Sequence, residues 1–75
     1  MKFTVIAGNW AARYMKPGSI EMNIPKQSTV AGALKQLPVP IDEIGVTALN
    51  GKAVKHEQAL AEGDVLQIFP VIIGG

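Results

Sequence analysis

A chain of 75 residues makes one domain with no room for a separate substrate domain, and it buries only about 60% of the surface its unfolded form exposes. Apolar residues at 48% and charged residues at 17% fit a folded globule rather than a disordered chain, and seven basic against six acidic residues, spread along the sequence for a net charge of +1, argue against a nucleic-acid partner. With no cysteine there are no disulfides, thiolate metal sites or iron–sulfur clusters, which makes the cytoplasm the expected compartment.

The N-terminal run Lys2-Phe3-Thr4-Val5-Ile6-Ala7 is rich in β-branched and aromatic residues and stops at Gly8-Asn9, so it predicts a first strand. It lacks the apolar core of a signal peptide, and no apolar run reaches bilayer length, so neither secretion nor a membrane partner is expected. Trp10 to Met15 forms a connection longer than a tight hairpin, closed by a turn at Lys16-Pro17-Gly18. Trp10 and Tyr14 in it read as a lid on the core, with an interface patch as the alternative. Ser19 to Ile24 alternates strictly and places Ile20, Met22 and Ile24 on one face of a second strand that ends at Pro25.

Ser28 or Thr29 can cap a helix, because either side-chain oxygen can accept from a free N–H of the first turn. Val30, Ala33, Leu34 and Leu37 then fall at i, i+3, i+4 and i+7, one apolar stripe, and Pro38 ends the helix close to residue 37. Asp42-Glu43 reads as a solvated loop. Gly45 to Leu49 predicts a third strand, Asn50-Gly51 a type I′ turn and Lys52-Ala53-Val54 a short return strand. Leu60 covers one end of the core, Glu62-Gly63-Asp64 turns the chain, and Val65 to Phe69 forms the last strand. His56, with no second histidine and no cysteine, is a surface residue and no metal site is expected.

This order, ββαββ with a last strand, implies an α+β layer pair with one helix across one face of a sheet. After that strand the chain runs through Pro70-Val71-Ile72-Ile73 to Gly74-Gly75. Glycines without Cβ atoms can thread a narrow channel and let an active-site backbone come close. A free α-carboxylate is ionised at neutral pH and unreactive toward nucleophiles until one oxygen becomes part of a leaving group. Joining it to AMP achieves this, and sulfur from a persulfide donor can then displace AMP to leave a thiocarboxylate.

Leu49-Asn50-Gly51-Lys52, then Leu60-Ala61-Glu62-Gly63-Asp64-Val65, then Phe69-Pro70 and Gly74-Gly75 resemble the ubiquitin-like sulfur-carrier family, which includes the molybdopterin synthase small subunit and the thiamine-biosynthesis sulfur carrier. The resemblance covers residues 45 to 75 well and the remainder in element order. It implies an α+β β-grasp (ubiquitin-like) fold over residues 1–75, a mixed sheet of four to five strands with its first and last strands side by side in the middle. A flexible tail is expected from about residue 70. It also implies a carrier and co-substrate with no catalytic residues of its own, Gly75 being adenylated and converted to the thiocarboxylate. Gly74, Ile73, Ile72, Val71 and Pro70 would thread the partner channel, and Phe69 would dock the partner or, in the alternative, close the end of the core.

The partners implied are a ubiquitin-activating-like adenylating enzyme that consumes ATP, a cysteine desulfurase or rhodanese-type sulfur donor, and an acceptor synthase subunit; no bound cofactor is expected. Phe69-Pro70 resembles the molybdopterin branch, whereas Val71-Ile72-Ile73 departs from it, so a thiamine thiazole carrier stays open. A ubiquitin-like protein modifier uses the same activation with a different acceptor. A β-grasp binding module cut from a larger protein is the reading in which the glycines carry no chemistry.

Overall fold

The computed structural model describes residues 1–72. Five strands form one sheet in the order β2-β1-β5-β3-β4, with β1 at Lys2–Ala7, β2 at Gly18–Asn23, β3 at Ile44–Leu49, β4 at Lys52–Val54 and β5 at Val65–Pro70. The first and last strands run parallel side by side, and every other pair is antiparallel. This is the mixed β-grasp sheet expected from the resemblance. The single α-helix among the described residues, α1 at Val30–Lys35, lies across one face, and no helix there is long and apolar enough to cross a membrane.

Alternation decides which side chains meet the helix. In β1, Phe3, Val5 and Ala7 are buried, and their partners in β5, Leu66 opposite Val5 and Ile68 opposite Ala7, point the same way and are 0% and 1% exposed. Ile20 and Met22, which pair with Val5 and Phe3, pack against this core from β2, and Ile24 closes it just past the strand. From the helix, Val30, Ala33, Leu34 and Leu37 are all buried, so the predicted stripe is the contact surface. Buried Thr47 is the polar exception, and its hydroxyl donates to the Val54 carbonyl at 3.1 Å, so its oxygen is not left without a partner.

The helix is two residues shorter than the predicted end at residue 37. Pro38 disfavours helical geometry at Leu37, which keeps a single N–H···O bond to the Leu34 carbonyl at 3.1 Å. At the other end Thr29 is the cap, its hydroxyl oxygen accepting from the Gly32 N–H at 3.3 Å, while the Ser28 hydroxyl donates back to the Pro25 carbonyl. Two more free N–H groups of that end, on Val30 and Ala31, donate to the carbonyls of Gln58 and His56 at 2.9 Å each. The stretch from His56 to Leu60 is thus tied to the helix start by its backbone, which explains why His56 is half-buried.

Asn50 and Gly51 have φ of 52° and 87°, the pair of positive angles that the type I′ turn between β3 and β4 requires. The Asn50 side chain also reaches β5: its Oδ1 accepts from the Val65 N–H at 2.9 Å and its Nδ2 donates to Asp64 Oδ1 at 2.9 Å. Asp64 Oδ2 in turn accepts from the Ala61 N–H at 2.8 Å. The two motif runs around residues 50 and 64 therefore bond to each other and fix where β5 begins.

Candidate functional site

β5 sits in the middle of the sheet and aims the chain at the outside. Because Leu66 and Ile68 face the helix, Val65, Gln67 and Phe69 face away from it, on the uncovered side of the sheet. Phe69 is 38% exposed and does not close the core. Val46 on β3, 56% exposed, and the half-buried Ile6 and Ala48 belong to this same outward face. The result is a largely apolar surface on the uncovered face, interrupted at Gln67, along the strand that carries the tail.

The tail begins later than expected. Pro70 still belongs to β5 and pairs with Ile44, and the Val71 N–H donates to the Glu43 carbonyl at 3.0 Å. Val71 is partly exposed and Ile72 is 88% exposed. Ile73, Gly74 and Gly75, which the sequence singles out for the channel and for modification, lie outside the described residues.

Three elements meet where the chain leaves the sheet. The first is a β-bulge in β3, where the register shifts between Ile44 and Thr47 opposite Pro70 and Ile68. Gly45 lies in that bulge, and a Cβ built on it would stand 2.7 Å from the Pro70 carbonyl oxygen and 3.1 Å from Val71 Cα, both backbone atoms with little freedom to retreat. The second is the 3₁₀ turn Ile41–Glu43, which Pro40 opens and whose Glu43 N–H donates to the Pro40 carbonyl at 3.0 Å. The third is the loop between β1 and β2. Its 3₁₀ turn Asn9–Ala11 buries Ala11 completely, and the Tyr14 N–H donates to the Ala11 carbonyl at 2.9 Å.

From this anchored loop the Tyr14 hydroxyl donates to Glu43 Oε2. Trp10, Asp42, Glu43, Pro70 and Val71 line a cleft of about 300 Å³ at the same place. Asp42-Glu43 is thus not simply a solvated loop: Asp42 is exposed, but Glu43 is half-buried and holds both the loop and the tail root. Trp10 and Tyr14 do pack partly against the core, as a lid would, while also reaching the tail root. Tyr14, Glu43 and Gly45 went unrecognised in the sequence as tail-root residues, because the contacts between Tyr14 and Glu43 and between Gly45 and Pro70 join residues far apart in the chain.

The Tyr14 hydroxyl is held above its ordinary pKa of about 10, first by its hydrogen bond to Glu43 and then by loss of solvent, with Arg13 beside the ring pulling the other way. A phenol whose pKa is raised by folding favours the fold fully below its unfolded pKa and loses that contribution as pH climbs through the folded value. Tyr14 is the one tyrosine of the chain, so its ionisation can be followed by ultraviolet absorbance without overlap. The midpoint is expected above that of free tyrosine, and Glu43→Ala is expected to lower it; equal midpoints in the two proteins would show that Glu43 does not hold the phenol.

A larger, more open hollow of about 500 Å³ runs along β3 and β4 past Lys55, His56 and Glu57. It lies on the other side of Gly45 from the tail and holds only one histidine. Among the described residues no group of three or more His, Cys, Asp or Glu side chains is placed to hold a metal ion. The tail root, where a sheet face, a cleft and a departing chain coincide, is the candidate site.

The ThiS family model matches residues 11–75. Among solved structures, SAMP1 from Haloferax volcanii superposes with a TM-score of 0.78 at 22% identity over 100% of both chains. A second structure, H. volcanii small archaeal modifier protein 1, gives 0.78 at 21% identity over 95% of this chain and 98% of its own. A Pyrococcus furiosus protein assigned as molybdopterin converting factor, subunit 1, gives 0.77 at 22% identity over 95% and 98%. These identities carry the likeness of fold. No curated protein matches the chain.

Proposed function

The chain belongs to the ThiS family of ubiquitin-like sulfur carriers, and on that premise we propose that its Gly75 carboxylate is adenylated and then converted to a thiocarboxylate for sulfur transfer into a cofactor. The observation that carries the reading is the path of β5: the central strand displays Phe69 on the uncovered face and then releases Val71 and Ile72 toward solvent, ahead of Gly74-Gly75. Phe69 and its apolar neighbours dock the adenylating enzyme, and the tail beyond Pro70, from Val71 to Gly74, enters its channel. A carboxylate oxygen attacks the α-phosphorus of ATP, giving the acyl adenylate and pyrophosphate. The terminal sulfur of a donor persulfide then attacks the acyl carbon and AMP leaves. A thiol cleaves the resulting acyl disulfide, which releases the thiocarboxylate and leaves a disulfide on the donor side. The catalytic groups and the ATP site belong to the partners, and an acceptor synthase subunit takes the sulfur.

Molybdopterin is the favoured destination, on the strength of Phe69-Pro70 and the fold likeness to the Pyrococcus protein. The fold likeness to the archaeal modifier favours a second reading, in which the same adenylate is passed to a lysine of another protein. Intact-mass analysis after incubation with ATP, a ubiquitin-activating-like adenylating enzyme and a persulfide donor separates the two. Exchange of one oxygen for sulfur is the expected result. A covalent adduct with a lysine of another protein would establish the modifier instead, and an unchanged mass would overturn both.

A further inference from the structure

We propose that Tyr14 is a positioning residue for the tail, acting through Glu43 to set the direction in which Val71 and Ile72 leave the sheet; the inference rests on the carrier reading above. The connection is continuous. Ala11, wholly buried, fixes the loop between β1 and β2, and Tyr14 is bonded one turn later to the Ala11 carbonyl. Its hydroxyl donates to the Glu43 carboxylate, and the carbonyl of the same Glu43 accepts the Val71 N–H at 3.0 Å. The turn that carries Glu43 is short, closed by the Glu43 and Ile44 N–H groups donating to the Pro40 and Ile41 carbonyls, and the Glu43 side chain ties it to the loop between β1 and β2.

The same flank of the tail root is closed again two residues on, at Gly45. Gly45 lies so near the Pro70 carbonyl that even a methyl group has no space there, and the ring of Pro70 fixes its own φ. The chain therefore leaves along the β3 flank, pressed against the Gly45 backbone and hydrogen-bonded at Glu43. Phe69, which the docking uses, precedes this passage, and the reacting carboxylate follows it.

The separation of docking from direction has a kinetic consequence. Four extended residues span about 14 Å at most, so the heading of residue 71 governs where the carboxylate of residue 75 arrives. Misplacement of a reacting group by about 1 Å costs up to about a hundredfold in rate, whereas an unchanged docking face leaves the affinity for the partner as it was. Loss of the Tyr14 hydroxyl is thus expected in kcat and not in KM.

The test compares the wild type with Tyr14→Phe, Glu43→Ala and Glu43→Gln, each shown by thermal unfolding to be folded at the assay temperature. Glu43→Gln retains an oxygen that accepts the phenol hydrogen and serves as the conservative rescue. Amide exchange at Val71 is expected to accelerate about tenfold in Tyr14→Phe and Glu43→Ala, with the amides of Val5 and Leu66 unchanged. In adenylation by a ubiquitin-activating-like enzyme, followed by pyrophosphate exchange with ATP, kcat is expected to fall about tenfold with KM for the carrier within about twofold, and Glu43→Gln to restore both readouts.

Unchanged Val71 exchange, faster exchange with unchanged kcat, or a change confined to KM each overturns the positioning role while the wild type still charges. Failure of the wild type to charge overturns the carrier reading and takes the inference with it.

Discussion

A chain ending at Gly74 is expected to lose C-terminal charging by about a hundredfold or more while keeping its thermal midpoint, measured by intact mass and thermal unfolding on the same sample. Removing one extended residue withdraws the carboxylate by about 3.5 Å, more than three times the displacement that already costs two orders of magnitude. Among the described residues the last fully buried side chain is Ile68, and the last backbone bond is donated by Val71. Charging of the shortened chain at the wild-type rate would sink the assignment of Gly75 as the modified residue. A fall in midpoint beside lost charging would mean that the end of the chain serves the fold instead.

Leu66→Ala is expected to destabilise the domain by about 3 kcal/mol and lower the thermal midpoint by about 15 °C. Leu66 is fully buried in the central strand, opposite Val5 on one side and Leu49 on the other, all on the helix-facing side. A cavity there is bordered by paired strands on both flanks and has little means of collapsing, which places the cost within the range of about 2–5 kcal/mol for buried leucines. A domain of 75 residues has only on the order of 4–11 kcal/mol in all, so a sizeable part of its stability is removed. Thermal and urea unfolding measure the loss, with the partly exposed Val65→Ala as the comparison. Equal midpoints for the two variants would show that the centre of the sheet does not dominate stability.

Much of this fold is legible one element at a time. Strict alternation in Ser19 to Ile24 placed Ile20, Met22 and Ile24 on the core side, the stripe from Val30 to Leu37 identified the helix contact, and Asn50-Gly51 marked its turn, because each signal is carried by residues near one another in sequence. That the first and last strands lie side by side in the middle came from the family resemblance alone, and the full order β2-β1-β5-β3-β4 from the structure, since periodicity states which face a side chain takes and not which strand lies beside it. Within that resemblance, the runs at residues 49 to 52 and 60 to 65 form a structural latch, Asn50 bonding Val65 and Asp64.

The candidate site was legible only in part. Phe69 followed from alternation with Leu66 and Ile68, although alternation left open whether it met solvent or closed the core. Glu43 looked like any acidic loop residue, because neither its bond to Tyr14, 29 positions away, nor its hold on Val71 leaves a trace in local sequence. Gly45 read as the opening of a strand, and only the approach of the Pro70 backbone shows why a side chain has no place there.

The central position of β5 also orders events during synthesis. Each ribosome makes β1, β2, α1, β3 and β4 before the strand that joins them, so the growing chain waits with β1 and β3 unpaired along the edges where β5 will insert. A product that stops before residue 65 lacks both Leu66 and Ile68 and has no closed core. Chains ended before residue 65 are therefore expected to be open to proteolysis, and the face that bears Phe69 exists only on molecules whose translation has passed the whole of the sheet.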